Sequence, residues 1–266
     1  MAYDDKLYAI REVSEITGVK PVTLRAWQRR YSLIQPQRTD KGHRLFSQGD
    51  IDKINDIQAW LAKGVSISKV AKMLEEGENP QSADHIAVSD SSEFKDMFNA
   101  LAALNRPRLE QTLATILKTY PLEIVETQFI AALINLLNQV KSPLRALQYG
   151  LLQSVLQPRL AMIIEAENRV GHKTKTLCVN LDQTGSLYAW LWATRLSDHG
   201  VMLTMLDGVE DISALLTDIV VDQYDVIALF SHGALTEQQK RVVEELLPHK
   251  DVRLTLSSTI ETLLGE

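Results

Sequence analysis

KPVTLRAWQRRYSLIQPQRTDKGHRLF, residues 20–46, decides how this chain is read. Seven basic side chains, Lys20, Arg25, Arg29, Arg30, Arg38, Lys41 and Arg44, stand there against one acid, Asp40, for a net charge of +6. The whole chain is acidic, with 28 Lys+Arg against 34 Asp+Glu. Attraction to a polyanion must therefore come from a local patch and not from the total charge. Residues 1–80 carry 13 basic and 11 acidic side chains and the remainder 15 and 23, so the chain is electrically polarised.

Spacing within and around the segment sets its shape. Ile10, Val13 and Ile16 repeat at helical intervals and predict a short inward-facing stripe, which Thr17-Gly18-Val19 ends. Pro21 suits the first turn of a second helix, on which Leu24, Trp27 and Tyr31 form the buried stripe. That assignment leaves Thr23, Arg25, Gln28, Arg29 and Arg30 outward, the residue types that bond phosphates and base edges. Gln37-Arg38 and His43-Arg44-Leu45-Phe46 flank Thr39-Asp40-Lys41-Gly42, which predicts a β-hairpin with one arginine on each arm. Helices over 50–63 and 66–76 complete a head expected at residues 1–78.

A length of 266 residues favours two or three domains, and 45% apolar residues suffice for packed cores. Residues 79–92 lose periodicity and fill with Pro, Ser and Asn, a linker composition. Residues 93–170 carry helical spacing throughout, broken at Pro107, Pro121 and Pro143, which predicts a four-helix bundle. From 171 to 266, candidate strands at 176–181, 201–206, 226–230 and 252–256 alternate with candidate helices at 185–196, 212–221, 235–247 and 259–264. Such alternation predicts a Rossmann-like parallel sheet covered on both faces. The expected fold class is thus multidomain, α followed by α/β.

Cys178 is the single cysteine, which excludes an internal disulfide and a zinc finger, and a strand position suits it as a small apolar residue. No run of about eighteen apolar residues occurs, and the first ten residues carry two acids, so neither membrane span nor secretion signal is expected. A cytoplasmic setting follows. The turn Leu181-Asp182-Gln183-Thr184-Gly185-Ser186 has one glycine and is no phosphate cradle, and no catalytic set has interpretable spacing, so no enzyme is expected.

The run Pro21–Tyr31 with Gly42-His43-Arg44-Leu45-Phe46 resembles the DNA-binding head of the MerR family of transcriptional regulators. The wording PVTLRAWQRRY, PQRT and GHRLF is similar to its curli-activator and blue-light-repressor branch. Ser32 departs from that branch, which usually has glycine there. The resemblance implies a winged helix-turn-helix regulator that binds a palindromic element of double-stranded promoter DNA as a homodimer. It assigns recognition-helix roles to Thr23, Arg25, Gln28 and Arg29, phosphate support to Tyr31, and wing roles to Arg38, His43 and Arg44. Trp27, Leu24 and Phe46 are expected in the core. The C-terminal two-thirds resembles the cobalamin-binding module of light-sensing relatives, whose Asp/Glu-x-His-x-x-Gly loop corresponds to Gln183–Tyr188 here. The acid, the histidine and the last glycine are missing, so no cofactor is expected. Ser231-His232-Gly233 keeps some likeness to that module's serine loop. The resemblance leaves a protein effector of photoreceptor type as the partner to expect. The alternative is a regulator sensing cobalamin or a small metabolite, which calls for a buried polar cluster near Gln183, Ser231 and Ser257.

Overall fold

Gly18 and Ser32 fix where the first two helices end, and both adopt the left-handed backbone that closes a helix (φ +71° and +53°). Strand β1 (Tyr8–Ala9) leads into α1 (Ile10–Thr17), and α2 (Pro21–Tyr31) follows the Gly18 turn. The Trp27 carbonyl accepts from the Ser32 and Leu33 amides, which turns the chain so that Leu33 and Ile34 enter the core. The hairpin arms are β2 (Gln37–Arg38) and β3 (Arg44–Phe46), antiparallel, with Arg38 opposite Arg44. β1 adds to the other edge of β3, pairing Tyr8 with Phe46, so the order is β1-β3-β2.

The computed structural model describes residues 6–77, 89, 91–139, 143–169, 174–198, 200–217, 220, 222–248 and 253–265. Most of the expected linker at 79–92 lies outside these, as do His172, His199 and His249. The chain divides into two compact units, Met1–Leu151 and Leu152–Glu266.

In the first unit, α3 (Gln48–Ala62) begins on a reciprocal cap between Ser47 and Asp50, and α4 (Ile67–Glu76) follows a turn at Gly64. Next come α5 (Ser92–Ala102) and α6 (Arg106–Thr119), then a rod built of α7 (Leu122–Ile124), a π-helical stretch Val125–Ile130, and α8 (Ala131–Gln139). Val13, Leu24, Trp27, Phe46, Ile54, Ile57 and Val70 are all buried. Ile16 is 55% exposed, against the expectation. Position 17 completes the stripe of Ile10 and Val13 better than position 16 does, and the Thr17 hydroxyl folds back on the Val13 carbonyl at 2.7 Å.

The last helix of the series, α9 (Arg145–Asn168), runs into the second unit. There β4 (Thr174–Asn180), β5 (Val201–Leu206), β6 (Val226–Phe230) and β7 (Arg253–Leu256) form an all-parallel sheet in the order β5-β4-β6-β7. Alternate residues serve opposite faces. Leu177, Val179, Ile227 and Leu229 pack with Val243 and Leu246 of α11 (Glu237–Leu246) and with Ile260 of α12 (Ser258–Leu264). Cys178, Leu203 and Ala228 pack with Ile164 of α9 and Ala193 of α10 (Leu187–Ser197). Burial first, then the nearby Asp207 charge, pushes the Cys178 thiol well above its ordinary range, which leaves it unreactive. Residues 212–221 do not form the expected long helix. Ser213–Leu216 is a 3-10 turn and Thr217 a bend, Val220 is helical, and positions 218, 219 and 221 lie outside the described set. The exposed edge of β5 is closed by Asn168, whose side-chain amide donates to the Leu203 carbonyl (2.8 Å) and accepts from the Leu203 amide (2.9 Å).

The left-handed backbone at Ser32 gives a direct expectation. Ser32→Gly removes the Cβ crowding of that conformation and stabilises the first unit by about 0.5–1 kcal/mol, read as a rise in the midpoint of its thermal unfolding transition.

Candidate nucleic-acid interface

Helix α2 sorts its residues by a 3.6 period into two stripes. Thr23, Leu24 and Trp27 are buried, while Val22, Arg25, Arg29 and Arg30 are exposed and Gln28 and Tyr31 half-buried. Thr23 therefore lies in the core, 3% exposed, and is not presented to a partner as the sequence reading expected. The reason is geometric: position 23 is four residues before Trp27 and shares its face. Val22, 44% exposed, takes the outward place instead. Sequence reasoning missed it because an apolar side chain in an apolar-rich stripe reads as core.

The hairpin brings Arg38 and Arg44 alongside this face. Arg38 is exposed, and its strand partner Arg44 is half-buried. The Arg44 Nε–H donates to the Gln28 carbonyl oxygen, which ties the hairpin to α2. A second nitrogen of the same guanidinium, Nη2, is buried with no partner among the described residues. Burial lowers the proton affinity of Arg44, and the positive charges of Arg29, Arg38 and Arg25 lower it further. Four guanidinium groups from two elements thus share one local field. Among the described residues, none of the four forms an ion pair with a carboxylate. Such a cluster is repulsive in the free protein and is relieved by an anion.

His43 stands at the hairpin tip with its side chain exposed. Its amide donates to Thr39 Oγ1 (3.1 Å) and its carbonyl accepts from the Thr39 amide (2.9 Å), which holds the tip while the ring faces outward. Gly42 closes the same turn at φ +80°. Arg25, Gln28, Arg29, Tyr31, Arg38, His43 and Arg44 therefore belong to α2 and the adjoining hairpin, and Thr23 alone is withdrawn.

In the second unit, the carboxyl ends of the strands are closed by their own polar groups. Asp207 accepts from Asn180 Nδ2 (2.7 Å), the Gly185 amide (2.9 Å) and the Trp190 indole (3.0 Å). Asp182 accepts from the Ser231 hydroxyl and the His232 amide, both at 3.1 Å. The buried Ser231 and Ser257 bond to each other, at 3.2 Å from amide to hydroxyl and 3.0 Å from hydroxyl to carbonyl. Gln183 is exposed, and its carbonyl accepts from Asn180. The Tyr188 ring stacks on the His232 ring, centroids 4.9 Å apart. A Cβ at Gly185 would collide with the Gln153 amide, which donates to the Gly185 carbonyl at 2.9 Å. Among the described residues, no cluster of three or more His, Cys, Asp or Glu could hold a metal.

Known proteins are similar to this chain in sequence. Residues 8–77 match the family described as MerR HTH family regulatory protein. The HTH-type transcriptional regulator MlrA of Escherichia coli (strain K12) is 35% identical over 205 residues, covering 75% of this chain and 79% of that protein. The HTH-type transcriptional repressor CarH of Myxococcus xanthus is 26% identical over 212 residues, covering 76% of this chain and 71% of its own. The mercuric resistance operon regulatory protein of Bacillus cereus is 30% identical over 67 residues, 25% of this chain and 51% of that one.

The cationic face and the buried stripe of α2 are distinguished by one variant each. Arg44→Ala weakens binding to any duplex and reduces the slope of log affinity against log salt by about one, whereas Thr23→Ala lowers thermal stability and leaves that slope unchanged. Filter binding across a salt series together with thermal melts distinguishes the two outcomes.

Proposed function

The chain belongs to the MerR family of helix-turn-helix regulatory proteins and is a DNA-binding transcription regulator, and from that premise we propose how it reads DNA and receives its signal. The first unit carries a winged helix-turn-helix in which α2 enters the major groove and the β2–β3 hairpin lies along the backbone. Arg25 and Arg29, exposed one turn apart on α2, read base edges. Arg38, Arg44 and His43 take phosphates, and Tyr31 supports them from the last turn of α2. Gln28 orients Arg44 through the bond between them. The observation that carries this reading is the four-arginine field around Arg44, which no carboxylate among the described residues neutralises. A duplex phosphate supplies the opposite charge that this field lacks.

We further infer that two copies act on a palindromic promoter element, since one head covers only a half-site. The chain is a regulator and not an enzyme. No helix among the described residues is long and apolar enough to cross a membrane, and the proposed setting is the cytoplasm where promoter DNA is found.

For the second unit, we infer a docking module that does not hold cobalamin. The ligand position of the related loop falls on Gly185, whose left-handed backbone (φ +83°) disfavours any side chain and whose carbonyl is held by the Gln153 amide. The Tyr188–His232 stack and the mutually bonded Asp182, Ser231 and Ser257 further support a closed mouth. Those groups satisfy one another, which also weakens the metabolite-sensing alternative. A protein effector, photoreceptor-like as in the resembling branch, is the partner that this surface would receive.

Two experiments test these proposals. Selection from a random duplex pool by the full chain is expected to return a palindrome. On it, Arg25→Ala or Arg29→Ala costs about 1–3 kcal/mol and relaxes preference at one position per half-site. Equal affinity of both variants and wild type for every duplex would sink the assignment. Separately, titrating the protein with adenosylcobalamin in the dark is expected to leave the visible spectrum of the corrin unchanged and to give no co-elution on gel filtration. A coloured protein peak would overturn the closed-mouth reading.

A further inference from the structure

Thr119, Tyr120 and Gln128 stand on the helices that follow the head, outside the cationic face, yet each bonds a group belonging to the elements that carry or support that face. Helix α2 packs against α6. Its innermost side chain, Trp27, is fully buried and donates its indole N–H to the Thr119 carbonyl at 2.7 Å. Tyr120 is 2% exposed, and its hydroxyl accepts from the Ile67 amide at 3.2 Å while donating to Glu93 Oε1, also at 3.2 Å. The Ile67 amide is the first of α4, one of the donors that a helix cannot satisfy from within. Gln128, in the π-helical stretch, donates to the Leu61 and Ala62 carbonyls at 2.9 and 3.0 Å, where α3 ends. The Tyr120 ring is wedged beside Phe129, centroids 4.8 Å apart, so the hydroxyl has little freedom. Burial, and secondarily the Glu93 charge, push its ionisation far above the ordinary phenol range, so it remains a donor.

We propose that Tyr120 is a positioning residue for DNA recognition. Its hydroxyl, together with the neighbouring Thr119 carbonyl, fixes the angle of α2 against the α3–α4 pair. Arg25 and Arg29 on the helix and Arg38 and Arg44 on the hairpin then reach one duplex in a single register. The inference rests on the DNA-reading role given above and adds that the groove-reading angle is set from outside the head, by the α6–α7 corner. A phosphate contact tolerates a small tilt of α2, whereas a bidentate contact to a base edge does not. Loosening the corner should therefore harm specificity more than affinity.

The test uses the full chain, the best duplex recovered by wild type from a random pool, and a length-matched scrambled duplex at the same salt concentration. Tyr120→Phe keeps the ring and removes both hydroxyl bonds. It is expected to lower the ratio of specific to scrambled affinity by about fivefold or more, with the salt slope unchanged. Glu93→Gln retains an acceptor for the hydroxyl and is expected to keep the wild-type ratio. If Tyr120→Phe fails to fold, Gln128→Ala carries the same expectation. A parallel fall in both affinities, or an unchanged ratio, would mark the corner as structural support only and overturn the proposal. Wild-type protein that recovers no preferred duplex would instead overturn the DNA reading beneath it.

Discussion

A buried indole N–H must find an acceptor, and the one on Trp27 finds it 92 residues away, in the Thr119 carbonyl. The bond decides more than its own small net contribution of about 1 kcal/mol. Leaving that donor unpaired in the core would be penalised by desolvation, so α2 can seat its inner stripe only with α6 in place. Once Thr23, Leu24 and Trp27 are seated, the outer stripe has no remaining choice of direction, and Val22, Arg25 and Arg29 face solvent together. The cationic face is in this sense a consequence of the packing on the opposite side of one eleven-residue helix.

The chemistry of that face follows from what it lacks. Arginines at protein surfaces ordinarily find carboxylates, and this chain has a surplus of them. Its acids nonetheless fall mostly beyond residue 80, and the segment 20–46 holds only Asp40. The four guanidinium groups consequently repel one another, and Arg44 feels that repulsion on top of its burial. Gln28 meets the problem without cancelling the charge. A neutral amide oxygen takes one N–H of Arg44 and fixes the direction of the others, so the positive field remains available to an anion.

Much of this was legible in the residues, and the failures share a cause. Local signals carried well: Pro21 at a helix start, Gly18 and the Gly42 turn at chain reversals, and the short runs alternating with helices that became the parallel strands. A stripe read at one-residue precision did not carry. At Ile16 and Thr23 the helical period itself favoured the neighbouring or opposite assignment, position 17 closing the first stripe and position 23 sharing the face of Trp27. The helix expected at 212–221 is interrupted, because Ser213–Leu216 closes as a 3-10 turn that packs Leu215 on the sheet and Thr217 is a bend. The bonds of Tyr120, Gln128 and Asn168 left no trace in the sequence at all. Each joins a side chain to a distant main-chain group, and a main-chain group has no letter.

The same accounting explains why the two units differ in character. At the α6–α7 corner and the π-helical stretch after it, two buried oxygens, Thr119 Oγ1 and Gln128 Oε1, have no partner among the described residues, so this seam is less completely satisfied than a core. At the carboxyl ends of β4 and β6 the opposite holds. Asp207 takes three donors, Asp182 takes two groups, and Ser231 and Ser257 close on each other. Polar groups that have spent their bonding capacity on each other have little left for a small polar ligand, and rebuilding such a network around one would forfeit those bonds before any new ones formed. A module of that kind is better suited to present its outer surface than to open its interior.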